Sequence, residues 1–165
     1  MIRRSGGAAE LALAVAVALA AGGCAAGPPR PMGSLDRRLE QAGAAHDPFL
    51  AGRWLAAIGE RGEREQVLLV DVERELPVPL PGLNRPDAQP LSVAVDAAGE
   101  RLAVVRQIAG RTELVLHRRP LASTETIPLR PPGVPRRVAL RADGRELAVE
   151  VSRDGRWTVD LIRLP

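Results

Sequence analysis

Two histidines, five serines and a few Asp-Gly pairs are the side chains from which hydrolytic or metal chemistry would have to be built here. His46 and His117 each stand alone, without the His, Cys or carboxylate neighbours at ligand spacing that a zinc or iron site needs. Both read as surface residues. No serine lies in a Gly-x-Ser-x-Gly elbow, and no glycine-rich phosphate loop is present. Ser34 reads as a helix N-cap. Asp143-Gly144 and Asp154-Gly155 lack the run of acidic ligands that defines a calcium loop, so they read as tight turns. The sequence therefore predicts no catalytic residue, no metal site and no cofactor, and a chain that is not an enzyme. What remains is recognition chemistry. Arg118, Arg119, Arg136 and Arg137 form two pairs at strand ends, placed to meet a partner's acids or anionic lipid, or simply to line a solvated rim. Trp157 is either an exposed contact point, since tryptophan is enriched where binding energy concentrates, or a residue packed on neighbouring structure. The packed reading is the one preferred from sequence.

All 23 basic residues are arginine, yet the net charge is only +3. Arginine alternates with Asp and Glu rather than clustering. A protein that grips nucleic acid shows a concentrated basic excess, and that function is set aside. With only two Trp, one Phe and no Tyr, the core must come from Val, Leu, Ile and Ala.

Cys24 is the single cysteine, so no intramolecular disulfide is possible. It follows a positive end (Arg3, Arg4), an apolar run from Leu11 to Ala21, and the small residues Ala21-Gly22-Gly23. The run is shorter than the about 20 residues needed to span a bilayer, and it has the form of an export signal. The segment resembles the bacterial lipobox, in which the cysteine becomes the first mature residue and receives lipid on its sulfur. It departs from the preferred pattern by placing Ala21, not leucine, three residues before Cys24. The alternative is cleavage after Ala18-Leu19-Ala20 and a soluble exported protein. On the lipobox reading, residues 1–23 are the signal and Cys24 the membrane anchor. Residues 24–33, rich in Pro and Gly, form a flexible tether.

The elements that carry these residues are repeated. The segment Ser92 to Leu116 aligns without a gap on Arg137 to Leu161, at the offset that sets Val93 on Val138. Identical pairs are Val93/Val138, Ala94/Ala139, Ala97/Ala142, Gly99/Gly144, Leu102/Leu147, Ala103/Ala148, Val104/Val149, Gly110/Gly155, Arg111/Arg156 and Leu116/Leu161. An earlier, worn copy sets Leu55-Ala56 on Leu102-Ala103. Each copy alternates with the two-residue period of a strand and is punctuated by Gly or Asp-Gly where a hairpin must reverse. Ile127-Pro128-Leu129 reads as a fourth strand, placed at an outer edge because proline cannot donate to a ladder. In the first copy, His46 to Gly52 reads as a shortened first strand. The third copy ends at Pro165, before any fourth strand. Four antiparallel strands per repeat of about 45 residues is the pattern of a propeller blade.

At the level of motif, AGRWLAAI, AAGERLAVV and ADGRELAVEV, each followed in turn by an Arg/Gly turn and an apolar strand, resemble the blades of TolB-type propellers. Leu80 to Arg85 (LPGLNR) is similar to TolB-like lipoproteins of photosynthetic bacteria. Ala51-Gly52 and Ala98-Gly99 replace the usual Asp-Gly. The resemblance covers residues 46–165, as blades of about 46–90, 91–135 and 136–165. It implies an all-β, incomplete propeller-like arc of about three blades. It also implies a periplasmic binding or scaffold protein with a protein partner in the cell envelope; an accessory hydrolase on a propeller scaffold and a degenerate remnant are the competing readings.

An open arc leaves two apolar faces bare. Two chains can pair as a homodimer, a partner can cover an end, or the short helix predicted at 34–45 can cap the first blade with Leu35, Leu39 and Ala42. Helix capping is the expectation for the front. The C-terminal end is left open.

Overall fold

The computed structural model describes residues 28–41 and 43–165. The export signal, Cys24 and Ala42 lie outside them. Residues 28–31 carry no regular structure and are exposed. From Met32 to Pro165 the chain forms one compact unit, and no helix among the described residues is long and apolar enough to cross a membrane.

A short helix, α1 (Gly33–Gln41), precedes eleven strands arranged as three antiparallel sheets. The first blade is β1 (Ala45–Ala51), β2 (Trp54–Arg61), β3 (Arg64–Asp71) and β4 (Leu76–Val78). The second is β5 (Ala88–Val95), β6 (Arg101–Ile108), β7 (Arg111–Arg118) and β8 (Ser123–Thr126). The third holds β9 (Val134–Leu140), β10 (Glu146–Arg153) and β11 (Arg156–Arg163), with no fourth strand among the described residues. Strands follow one another across each sheet in chain order, so the chain is a propeller-like arc of two full blades and one three-stranded blade.

Turn chemistry fixes the hairpins. Ala109-Gly110 and Asp154-Gly155 are two-residue loops with positive φ at both positions (49° and 76°, 49° and 74°), the mirror-image turn whose twist matches that of the strands it joins.

The blades pack face to face through two apolar clusters. Ala56, Ile58, Val67 and Leu69 of the first blade meet Val93, Val95, Leu102, Val104 and Val115 of the second. On its other face the second blade presents Ala94, Ala103, Val105, Leu114 and Leu116 to Val138, Leu140, Leu147, Val149 and Val151 of the third. The central blade is thus buried on both sides, and β6 reads as an unbroken apolar run from Leu102 to Val105. In the third blade β10 alternates buried and half-buried positions, because one face alone is covered.

Four expectations change. The first strand is not shortened: β1 has seven residues, as β9 has. Asp47 adopts φ 51° and the register slips between His46 and Phe49, so a bulge absorbs the residues that blurred its alignment with the later copies. The fourth strand of the second blade is β8, immediately before Ile127-Pro128; Ile127 N–H makes a last bond to the Leu114 carbonyl, and proline ends the ladder there. The helix stops at Gln41, ahead of Gly43 at φ 100°, and Ala45 already belongs to β1. Ser34 lies inside the first helical turn rather than capping it, and its hydroxyl donates to the Glu75 carboxylate at 2.5 Å.

Candidate interaction surface

The innermost strand of every blade carries a bulge: near Asp47 in β1, at Leu91 in β5 and at Arg136 in β9. A bulge sets two neighbouring residues against one on the partner strand and re-aims their side chains. In the first two blades this geometry makes a link to the next blade. The Asp47 carboxylate accepts the Val93 N–H at 2.7 Å, and Ser92 Oγ accepts the Val138 N–H at 3.2 Å. The equivalent residue in the third blade is Arg137.

The outer face of the third blade follows from register. Val149 and Val151 point inward, so Ala148, Glu150 and Ser152 point outward, and so do their cross-strand partners Leu161, Val159 and Trp157. On the β9 side the outward row is Ala139 and Arg137, opposite Ala148 and Glu150. Leu161 is 83% exposed, Val159 66% and Trp157 51%. Their counterparts in the second blade, Leu116 and Leu114, are buried under the third. Trp157 does not pack on an adjacent blade, correcting the preferred sequence expectation: no blade among the described residues covers this face of its sheet. Instead the Arg136 guanidinium lies 5.3 Å from its ring centroid, a cation–π contact that the bulge makes possible.

The other arginine pair is engaged within the fold. Arg118 forms an ion pair with Glu125 at 2.8 Å. Arg119 Nε donates to the Gly99 carbonyl at 2.5 Å, and its guanidinium sits 5.3 Å from the ring centroid of Trp54, with Arg53 at 4.9 Å. This arrangement staples the first blade to the second. Arg118 and Arg119 are therefore structural, whereas Arg136, Arg137 and Trp157 are gathered on one surface.

His117 is also corrected. It is 0% exposed, with Nδ1 2.9 Å from Thr124 Oγ1 and Nε2 without a partner. Burial pushes its pKa below the ordinary value. Its position between Leu116 and Arg118 suggests the end of an element, but β8 pairs alongside it and sets Thr124 opposite the ring. His46 is exposed and bonds Glu65 Oε1 at 3.0 Å, which holds that carboxyl below its usual range.

Clefts flank the arc on more than one side. One, of about 490 Å³, lies between the hairpin at Glu63–Glu65 and the segment Pro86–Gln89, and is lined by polar groups. Another, of about 580 Å³, lies where α1 meets the outer face of the first blade, among Leu35, Leu39, Leu68 and Val70. Leu35 is 5% exposed, and Arg38 Nη1 donates to the Glu75 carbonyl at 2.8 Å, so the helix covers part of that face and leaves Leu50 of β1 in solvent. Among the described residues no three potential ligands come together as a metal site.

No family model matches the chain, and no curated protein matches it. Among solved structures it is similar to TolB from Acinetobacter baumannii, at 13% identity and a TM-score of 0.55, over 71% of this chain and 29% of that one. It also aligns with the Swd1 β-propeller domain of Myceliophteria thermophila at 12% identity and a TM-score of 0.43, over 73% of this chain and 39% of that one. The chain therefore has a TolB-like propeller fold and spans less than a third of that TolB structure's length.

Proposed function

We propose that this protein is a lipid-anchored binding module of the bacterial periplasm, in which Cys24 fixes the chain to a membrane and the blades meet a protein partner of the cell envelope. The observation that carries the binding half is the bare outer face of the third blade, where Trp157, Val159 and Leu161 stand in solvent, the last two at positions whose counterparts Leu114 and Leu116 are covered in the second blade. A contiguous exposed apolar surface with an aromatic anchor is the ordinary form of a protein-binding site. The anchoring half rests on Arg3, Arg4, the apolar run and Cys24. Two acyl chains give the stable attachment that one does not, and the tether holds the blades clear of the surface.

Cell fractionation with mass spectrometry of the mature N-terminus tests the anchor. An acylated Cys24 in the membrane fraction, shifted to the soluble fraction by Cys24→Ser, is expected; an unmodified terminus at another residue rejects it. Cross-linking in cells tests the binding role. Trp157→Ala is expected to remove a reproducible cross-linked partner, and the absence of any such partner in the unaltered protein rejects a scaffold.

A further inference from the structure

We infer that the outer face of the third blade docks a second copy of this chain, the two copies related by a twofold axis that sets Glu150 of each against Arg137 of the other. It rests on the binding reading of this face and names the occupant as a second copy of the chain, and it stands or falls separately from the membrane anchor.

The first argument excludes another blade of the same kind. One link from each blade to the next uses an acceptor at the bulge, Asp47 and then Ser92, to hold a backbone N–H of the following blade. The third member of the series is Arg137, and a guanidinium has no acceptor. Position 150 repeats the departure. In the second blade its counterpart Val105 is fully buried beneath the third blade. A further blade stacked in the same way would bury the Glu150 carboxylate where the second blade buries a valine, and an unpaired buried charge is costly.

The second argument is the pattern that replaces it. The apolar part of the face is retained: Ala139, Ala148 and Leu161 repeat Ala94, Ala103 and Leu116, and Val159 stands for Leu114. Set into it are one acid and one base, cross-strand partners in register, that form no ion pair with any described residue. The neighbouring acid on that face, Glu146, is already held by Arg141 and Arg163. An isologous interface brings residue i to j and j to i, so a face carrying an unpaired acid beside an unpaired base is complementary to itself, while Arg136 of the same face lies over the Trp157 ring. Trp157, fixed by Arg136, supplies the aromatic anchor.

The third argument selects a closed pair over a chain of copies. Head-to-tail stacking would place this face on the back of the first blade, where α1 stands in the way, with Leu35 buried and Ser34 and Arg38 bonded to Glu75. With α1 seated there, the bare face has its like as the available complement.

The test is charge exchange read by sedimentation equilibrium of the full chain in mild detergent. The unaltered protein is expected to dimerise reversibly with concentration. Glu150→Arg and Arg137→Glu each set like charges together and are expected to weaken self-association by about tenfold or more. An equimolar mixture of the two variants restores both pairs and is expected to dimerise as the unaltered protein does. A defect in folding would not be repaired by mixing, and melting curves on each variant check it directly. A monomer at every concentration overturns the inference and leaves the face to a different partner. So does a dimer indifferent to both exchanges, or a mixture that associates no better than either variant.

Discussion

Gly99 lies beneath the indole of Trp54, so close that a Cβ at residue 99 would stand 2.3 Å from a ring atom. The glycine is also at φ 68°, so two separate constraints hold it. Its carbonyl accepts from Arg119, whose guanidinium lies over the same indole. The turn of the second blade, the tryptophan of the first and the arginine that follows β7 thus form one junction.

Gly99→Ala is expected to destabilise the protein by about 3 kcal/mol, combining left-handed backbone strain with displacement of the indole. Urea unfolding with tryptophan fluorescence measures it, and a loss under about 1 kcal/mol would show that the junction gives way freely.

Ser92→Ala removes the acceptor for the Val138 N–H at a buried interface. Leaving a buried donor unpaired costs about 1–3 kcal/mol. Because the bond joins two blades, hydrogen exchange should quicken along β9 before it quickens in β6. Equal acceleration in both would contradict the assignment of this bond as an inter-blade link.

His117 makes stability depend on pH in a defined direction. Its folded pKa lies below the ordinary 6.5, so the unfolded chain binds the proton more readily. The contribution is complete above pH 6.5 and is lost as the pH falls from there through the lowered folded value. His117→Gln cannot take up that proton and is expected to flatten the dependence of stability on pH in this window. Chemical denaturation across the range checks it: an unchanged slope would assign the dependence to other groups.

Ala109 occupies φ 49° in the turn where the third blade places Asp154. Left-handed backbone disfavours alanine and suits asparagine. Ala109→Asn is expected to raise stability by about 0.5–1 kcal/mol and to shift the melting temperature upward; a fall would mean that the new side chain disturbs the cleft beside Gly110.

Much of the arc was legible because its repeat obeys two simple rules. Glycine marks the reversals, and the positions shared by Leu102/Leu147 and Val104/Val149 are those that face an adjoining blade. The links between blades were not legible. Asp47 and Ser92 look like the solvent-facing half of an alternating strand, and only the bulge turns them toward a neighbouring backbone. His117 deceived for the opposite reason: an ionisable residue at a strand end suggested solvent, whereas β8, a short polar strand without a strong pattern, pairs alongside it. The surface was half legible. Trp157 and the Arg136–Arg137 pair stood out by type, but the pairing of Arg137 with Glu150 needs the register of β9 and β10. The Arg118–Arg119 pair looks the same in sequence and is spent on holding the fold.

The covering of β6 on both faces, beside a bare β11, gives the arc a direction. Stability in stacked repeats is set largely by the interfaces each unit shares with its neighbours. The central blade has two such interfaces, the first has one and a helix, and the third has one alone. Thermal fluctuation should therefore peel the protein like a stack opened from its last leaf, with β11 and β10 departing first and the middle blade surviving as the last ordered remnant.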